Sequence, residues 1–136
     1  MRDILFKAKC LDNDEWVEGY LVKHPSAIQF GIANYSPWYI HRPPVDPDDN
    51  GGVYNIAPET VCQYIGLSDK NKKKIFEGDV VRTKSGVGYI NYGDGCFAVQ
   101  DIKSKNNPAI DIVLNEGKIE IIGNIFDNPE LLEVAE

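Results

Sequence analysis

Apolar and polar residues alternate along most of the chain with a period of two, and the runs are short. Phe6 and Ala8 alternate with Lys7 and Lys9, after Ile4 and Leu5. A polar turn, Asp12-Asn13-Asp14, separates that run from Trp16-Val17-Glu18-Gly19-Tyr20-Leu21-Val22. Two such runs across a turn predict an opening hairpin. A third strand is expected over 27–33, after which Tyr35-Ser36-Pro37-Trp38-Tyr39-Ile40 breaks at its proline and resumes as an aromatic cluster. Residues 41–52 carry three prolines, three aspartates and Asn50-Gly51-Gly52, the composition of a long surface loop.

Beyond the loop, strands are expected over 53–56 and 60–65, then a lysine-rich turn over 68–74. Runs at 79–84, 87–92 and 96–102, separated by Ser85-Gly86 and Gly93-Asp94-Gly95, predict a three-stranded meander. Two last runs, 110–114 and 118–126, face each other across Asn115-Glu116-Gly117. Helical periodicity is confined to the end, where Asn128 can cap, Pro129 suits a first helical position and Glu130 complements the helix dipole. The fold class is mainly β. The glycine-cornered block from about 74 to 126 fits a small SH3-like or related barrel core, joined to an elaborated β-rich N-terminal half and followed by a short C-terminal helix. A chain of 136 residues is one ordinary domain, with an N-terminal part over 1–57 and a barrel-like part over 58–136.

Composition narrows the function classes. Net charge is −7, with 14 basic against 21 acidic side chains, so no general electrostatic pull toward nucleic acid or anionic lipid exists. No apolar run reaches signal-peptide or membrane-spanning length, which reads as a cytoplasmic protein without a membrane partner. Three widely spaced cysteines, Cys10, Cys62 and Cys96, do not form a secreted disulfide framework and are expected to be reduced thiols. Cys62 and Cys96 lie in apolar runs and read as small core residues.

Two stretches resemble the YopX family of phage and prophage proteins. One is Pro58-Glu59-Thr60-Val61-Cys62-Gln63-Tyr64-Ile65-Gly66-Leu67 with Phe76-Glu77-Gly78-Asp79-Val80-Val81; the other is Gly123-Asn124-Ile125-Phe126-Asp127-Asn128-Pro129-Glu130-Leu131. The opening Ile4 to Ala8 and Trp16 are similar to that family's start. The insertion around 43–52 departs from its pattern, as does Lys72-Lys73-Lys74, where the family more often has a glycine. The resemblance implies a small β-rich protein of mobile genetic elements with no established catalytic activity and no catalytic residues to carry over.

Each candidate chemistry has a structural competitor. In Glu77-Gly78-Asp79 two carboxylates flank a glycine; paired carboxylates suit acid/base work, but a turn into a strand with Asp79 accepting local backbone hydrogen bonds is the better account. Asp46, Asp48 and Asn50 occupy the first, third and fifth positions of a calcium loop, with Gly51 at its turn position. The twelfth position falls on Ala57 where a bidentate Glu is required, which leaves weak calcium binding against a solvated acidic loop. His24 and His41 stand 17 residues apart without a second ligand motif, so a metal or Cys/His hydrolase site would need scattered ligands, Asp79 among them. Lys70, Lys72, Lys73 and Lys74, with Arg82 and Lys84, are the one place for a nucleic-acid footprint, to which Tyr89, Tyr92 and Phe97 would add stacking surfaces. Tyr35, Trp38, Tyr39 and Ile40 form the densest aromatic patch, suited either to closing the core or to a protein interface. The resemblance implies an accessory protein of a phage or prophage, and with the missing catalytic constellation the expected reading is a non-enzymatic protein that binds a protein or itself, without a cofactor. A nucleic-acid-binding barrel and a hydrolase are the alternatives.

Overall fold

The computed structural model describes residues 4–24, 36–84, 86–93, 95–101 and 118–133. The strands expected over 27–33 and 110–114, and Tyr35 with them, lie outside the described residues. The chain divides into two compact units, Met1–Gln63 and Tyr64–Glu136. Every strand pairing is antiparallel.

The first unit is built on β1 (Phe6–Lys9), β2 (Trp16–Lys23), β3 (Trp38–Arg42) and β4 (Gly52–Asn55), in the order β4-β3-β2-β1, with the first two residues of β5 (Cys62–Ser68) beside β1. Opposed residues share a face, so the register sorts the side chains. Ala8 opposes Val17 and Leu21 opposes Ile40. Ala8, Val17 and Ile40, with Cys10 and Ile56, make the buried cluster, and Phe6, Leu21, Trp38, Tyr54 and Val61 pack against it. Gly19 sits where β2 passes closest to β3, and a Cβ there would run into the His41 carbonyl and the Arg42 Cα. Thr60 fastens the far end: its Oγ1 accepts from Lys9 N at 2.8 Å and donates to Ala57 O at 2.7 Å.

In the second unit the rest of β5 pairs with β6 (Lys74–Phe76), and β7 (Asp79–Thr83), β8 (Gly86–Gly93), β9 (Cys96–Asp101) and β10 (Glu120–Asn124) form a sheet in the order β10-β7-β8-β9. The expected meander is therefore present as β7-β8-β9. Its core is Ile75, Val81, Ile90, Val99 and Ile119, each essentially withdrawn from water, with Ile65, Leu67, Phe97 and Ile121 against them. Burial of an isoleucine side chain contributes about 1.5–3 kcal/mol, so this cluster is the main source of the unit's stability. Between β6 and β7 the chain reverses at Gly78, φ 88°, a left-handed conformation that glycine adopts without a Cβ clash. Asp79 then accepts Phe76 N at 2.8 Å, and Val80 and Val81 run on into the interior.

Two expectations need correction. The described sheets are not closed into a barrel, because β9 and β10 flank their sheet without pairing with each other. Closure depends on strand tilt and stagger, which glycine corners do not encode. The C-terminal helix is a single 3-10 turn, Pro129–Leu132, and Asn128 does not cap it. Its side chain turns back instead and accepts Asn124 N at 3.2 Å. Among the described residues no helix is long and apolar enough to cross a membrane.

Candidate functional site

Strand alternation in the first unit leaves a second face opposite the core. Tyr20 opposes His41, which opposes Val53; one step along, Val22 opposes Tyr39. Tyr20 is 52% exposed and Val53 59%, so this cross-strand row presents apolar surface to solvent. Toward β1 the same face carries Trp16, with Lys7 Nζ 4.8 Å and Lys9 Nζ 5.5 Å from its ring centre, both at cation-π distance. At the other end of β2, His24 donates its backbone N–H to Pro37 O at 2.6 Å. Its ring meets the Tyr39 ring edge-on at 4.7 Å and lies nearly parallel to His41 at 5.9 Å. The two histidines, scattered in sequence, are neighbours here.

The loop between β3 and β4 is tied down by one carboxylate. Arg42 Nη1 and Nη2 donate to Asp49 at 2.6 and 2.8 Å, a bidentate pair, while Asp49 also accepts Gly51 N at 2.9 Å and Val45 N at 3.1 Å. Hydrogen bonds from Arg42, then from the Gly51 and Val45 amides, hold the Asp49 carboxyl well below the usual range. Asp46 Oδ1 accepts Asp48 N at 2.9 Å, an Asx turn. The residues picked for calcium, Asp46, Asp48 and Asn50, are exposed on this loop, and among the described residues no three His, Cys, Asp or Glu side chains gather as a metal centre. At the tip Val45 is 81% exposed.

The aromatic patch is divided by the strand that carries it. Trp38 packs on the core and Ile40 is completely buried, so neither forms an outward patch, whereas Tyr39 faces outward. Tyr35 lies outside the described residues. What replaces the patch is the row on the outer face, Tyr20, His41 and Val53, drawn from three strands. Its signal in the sequence is weak: apolar residues at polar positions of alternating runs.

The lysine-rich turn has a carboxylate at its centre. Asp69 is 5% exposed; its Oδ1 accepts Asn71 N at 2.8 Å and Lys73 N at 2.9 Å, and its Oδ2 accepts Ile121 N at 3.1 Å. Burial pushes the Asp69 carboxyl up, but the amides of Ile121, Lys73 and Asn71 outweigh it and leave it below its ordinary value. Lys70 N donates to Ile119 O at 2.9 Å, so the turn lies along the outer edge of β10. Lys70 Nζ pairs with Glu120 at 2.7 Å, and Arg82 opposes Glu120 in the sheet. Lys72, Lys73, Lys74 and Lys84 are exposed. Lys72 has φ 66°, the left-handed region, at a place where glycine would be relaxed. Among the proposed stacking residues, Tyr92 and Phe97 meet edge-on at 5.0 Å across the β8–β9 hairpin.

The hydrolase candidates divide between the units. His24 and His41 belong to the first; Asp79 belongs to the second, is 2% exposed and serves the turn before its own strand. Cys10 and Cys62 are buried, and burial, with Asp12 and Glu15 nearby, pushes the Cys10 thiol up. Cys96 is exposed at the start of β9, which corrects its assignment to the core: it follows the β8–β9 turn, where the chain is still at the surface.

Comparison with known proteins agrees with this architecture. The family model described as YopX protein matches residues 6–133. No curated protein matches the chain. Among solved structures, protein EF1440 from Enterococcus faecalis is similar in fold, with a TM-score of 0.54 and 22% identity over 98% of this chain and 100% of that one.

Proposed function

The chain belongs to the YopX family, and from that premise we propose that it is a phage or prophage accessory protein acting in the host cytoplasm by binding a protein partner, or a second copy of itself, instead of by turnover. The observation that carries this reading is the outward row of the first unit. Tyr20 and Val53 stand more than half exposed on either side of His41, on a rigid three-stranded platform. An exposed tyrosine on a strand buries large area at low entropic cost, the property of an interface anchor, and Val53 extends the apolar surface beside it. The loop adds a second contact: with Asp49 locking it, Val45 is presented in a fixed conformation, and less ordering cost remains for binding.

The test is capture from induced or infected host lysate, with and without nuclease, comparing the wild-type chain with Tyr20→Glu and Val53→Asp. A nuclease-resistant partner recovered by the wild type and lost with both variants is the expected result. Sedimentation equilibrium of the purified chain separates self-association from a host partner. Recovery that nuclease abolishes, and that Lys72→Glu with Lys73→Glu abolishes too, would assign the protein to nucleic acid through its basic turn. Turnover of a defined substrate by the purified chain would overturn the reading altogether.

A further inference from the structure

We infer that Asn50 is a deamidation site, which the Asp49 carboxylate keeps unreacted in the folded chain. Asn50-Gly51 is the single Asn-Gly step in the sequence, and asparagine is among the chemically labile residues. The reaction needs no enzyme. The Gly51 backbone nitrogen gives up its proton to solvent base and attacks Asn50 Cγ; the Cγ–Nδ2 bond breaks, and Nδ2 takes up a proton and leaves as ammonia. Water then opens the resulting succinimide at either of its carbonyls, to aspartate or isoaspartate. Asn50 is exposed, so water and base reach it, and glycine has no Cβ to shield the attacking nitrogen. The loop cannot dispense with that glycine. Gly51 has φ 69°, and a Cβ there would run into the Arg42 carbonyl oxygen and come within 3.2 Å of the Pro44 ring.

What restrains the reaction is the partner of the attacking nitrogen. Gly51 N donates to Asp49 Oδ1 at 2.9 Å, and Asp49 is itself fixed by both Arg42 nitrogens at 2.6 and 2.8 Å and by Val45 N at 3.1 Å. An amide nitrogen attacks only as its anion. A carboxylate that accepts the N–H disfavours that anion twice, by its hydrogen bond to the protonated form and by like charge. Hydrogen bonds from Arg42 and the two amides hold the Asp49 carboxyl well below the usual range, so it stays ionised and does not take the Gly51 proton as a base. Deamidation would add a carboxylate beside Asp46, Asp48 and Asp49, and isoaspartate would lengthen the backbone that returns to β4. The inference stands on the loop's chemistry, whether or not the outer face docks a protein.

The experiment follows the purified full-length chain over time in mildly alkaline buffer, with Asn50 read by peptide mass spectrometry. Conversion of its amide to an acid raises the mass, whereas ring closure at Asp94-Gly95 sheds water and, once reopened, leaves the mass unchanged. Folded wild type is expected to react at Asn50 at least about tenfold more slowly than the same chain unfolded in urea, the factor carried by one hydrogen bond to a charged group, and folded Asp49→Ala is expected to lose that protection. Arg42→Gln loosens the same loop but leaves a carboxylate to accept Gly51 N, so it should react more slowly than Asp49→Ala. If Asp49→Ala fails to fold, the wild-type comparison decides, together with slowed hydrogen exchange of the Gly51 amide. Folded wild type reacting as fast as the unfolded chain, unprotected exchange at Gly51, Asp49→Ala as slow as wild type, or Arg42→Gln as fast as Asp49→Ala would overturn the inference.

Discussion

Asp49 in the first unit and Asp69 in the second each gather a loop around one carboxylate, by different means. Asp49 answers a guanidinium seven residues away and two amides within its own loop. Asp69 has no guanidinium; it takes three backbone amides, one of them from Ile121, 52 residues further along the chain. The first carboxylate organises a local protrusion that carries the exposed Val45. The second joins sequence-distant pieces of a sheet and covers the edge of β10, a strand that would otherwise offer unpaired backbone to another chain. The contrast extends to surface chemistry. Of the large hydrophobic side chains exposed among the described residues, Ile4, Leu11, Tyr20, Val45 and Val53 belong to the first unit and Tyr92 alone to the second. Among the described residues the first unit presents apolar surface, and the second keeps most of its own buried.

If that division is correct, the largest effect belongs to Asp69→Ala. Three amides lose a charged acceptor, and stability to chemical denaturant should fall by about 3 kcal/mol or more. A cost no greater than that of Asp49→Ala would break the comparison. Gly19→Ala comes next, because its Cβ has no space against the backbone of His41 and Arg42; overpacking of this kind costs about 1–3 kcal/mol and should appear in the same measurement.

Acid sharpens the contrast further. The Asp69 carboxyl titrates below its ordinary 3.8 in the folded chain, so the unfolded chain takes up that proton first. Its contribution is complete above the ordinary value and fades as pH falls through the lower folded one. Asp69→Asn should therefore flatten the dependence of stability on pH below about 4, as read by denaturation at stepped pH. Lys72→Gly should raise stability by about 0.5–1 kcal/mol by relieving the left-handed backbone. Asp49→Ala should move the melting temperature least, while proteolysis within residues 43–51 accelerates; intact protection of the loop would show that its prolines hold it without the ion pair.

Local order was legible in the sequence where period and turn chemistry agreed. The opening hairpin and the β7-β8-β9 meander follow from alternation between turn residues, and the role of Asp79 follows from a glycine and a short carboxylate before a buried run. Distant relations were not. Nothing in Ser68-Asp69-Lys70 tells that Asp69 will meet Ile121, and the lysines around it drew notice to charge when the buried acid holds the turn. Trp38, Tyr39 and Ile40 read as one patch because they are adjacent, although adjacency in a strand means opposite faces. His24 and His41 became neighbours through the register of β2 on β3, which depends on the connection between those strands and not on either histidine.

The reach from Asp69 to Ile121 also sets an order of events during synthesis. A chain made from its N-terminus has completed β7, β8 and β9 by residue 101, before residues 119–121 exist. Until they emerge, the Asp69 turn lacks the strand it covers and β7 lacks its β10 neighbour, so the nascent second unit carries an open edge for the time the ribosome takes to add the rest. A pause in translation within that stretch would lengthen the exposure, and a chain released early would keep it.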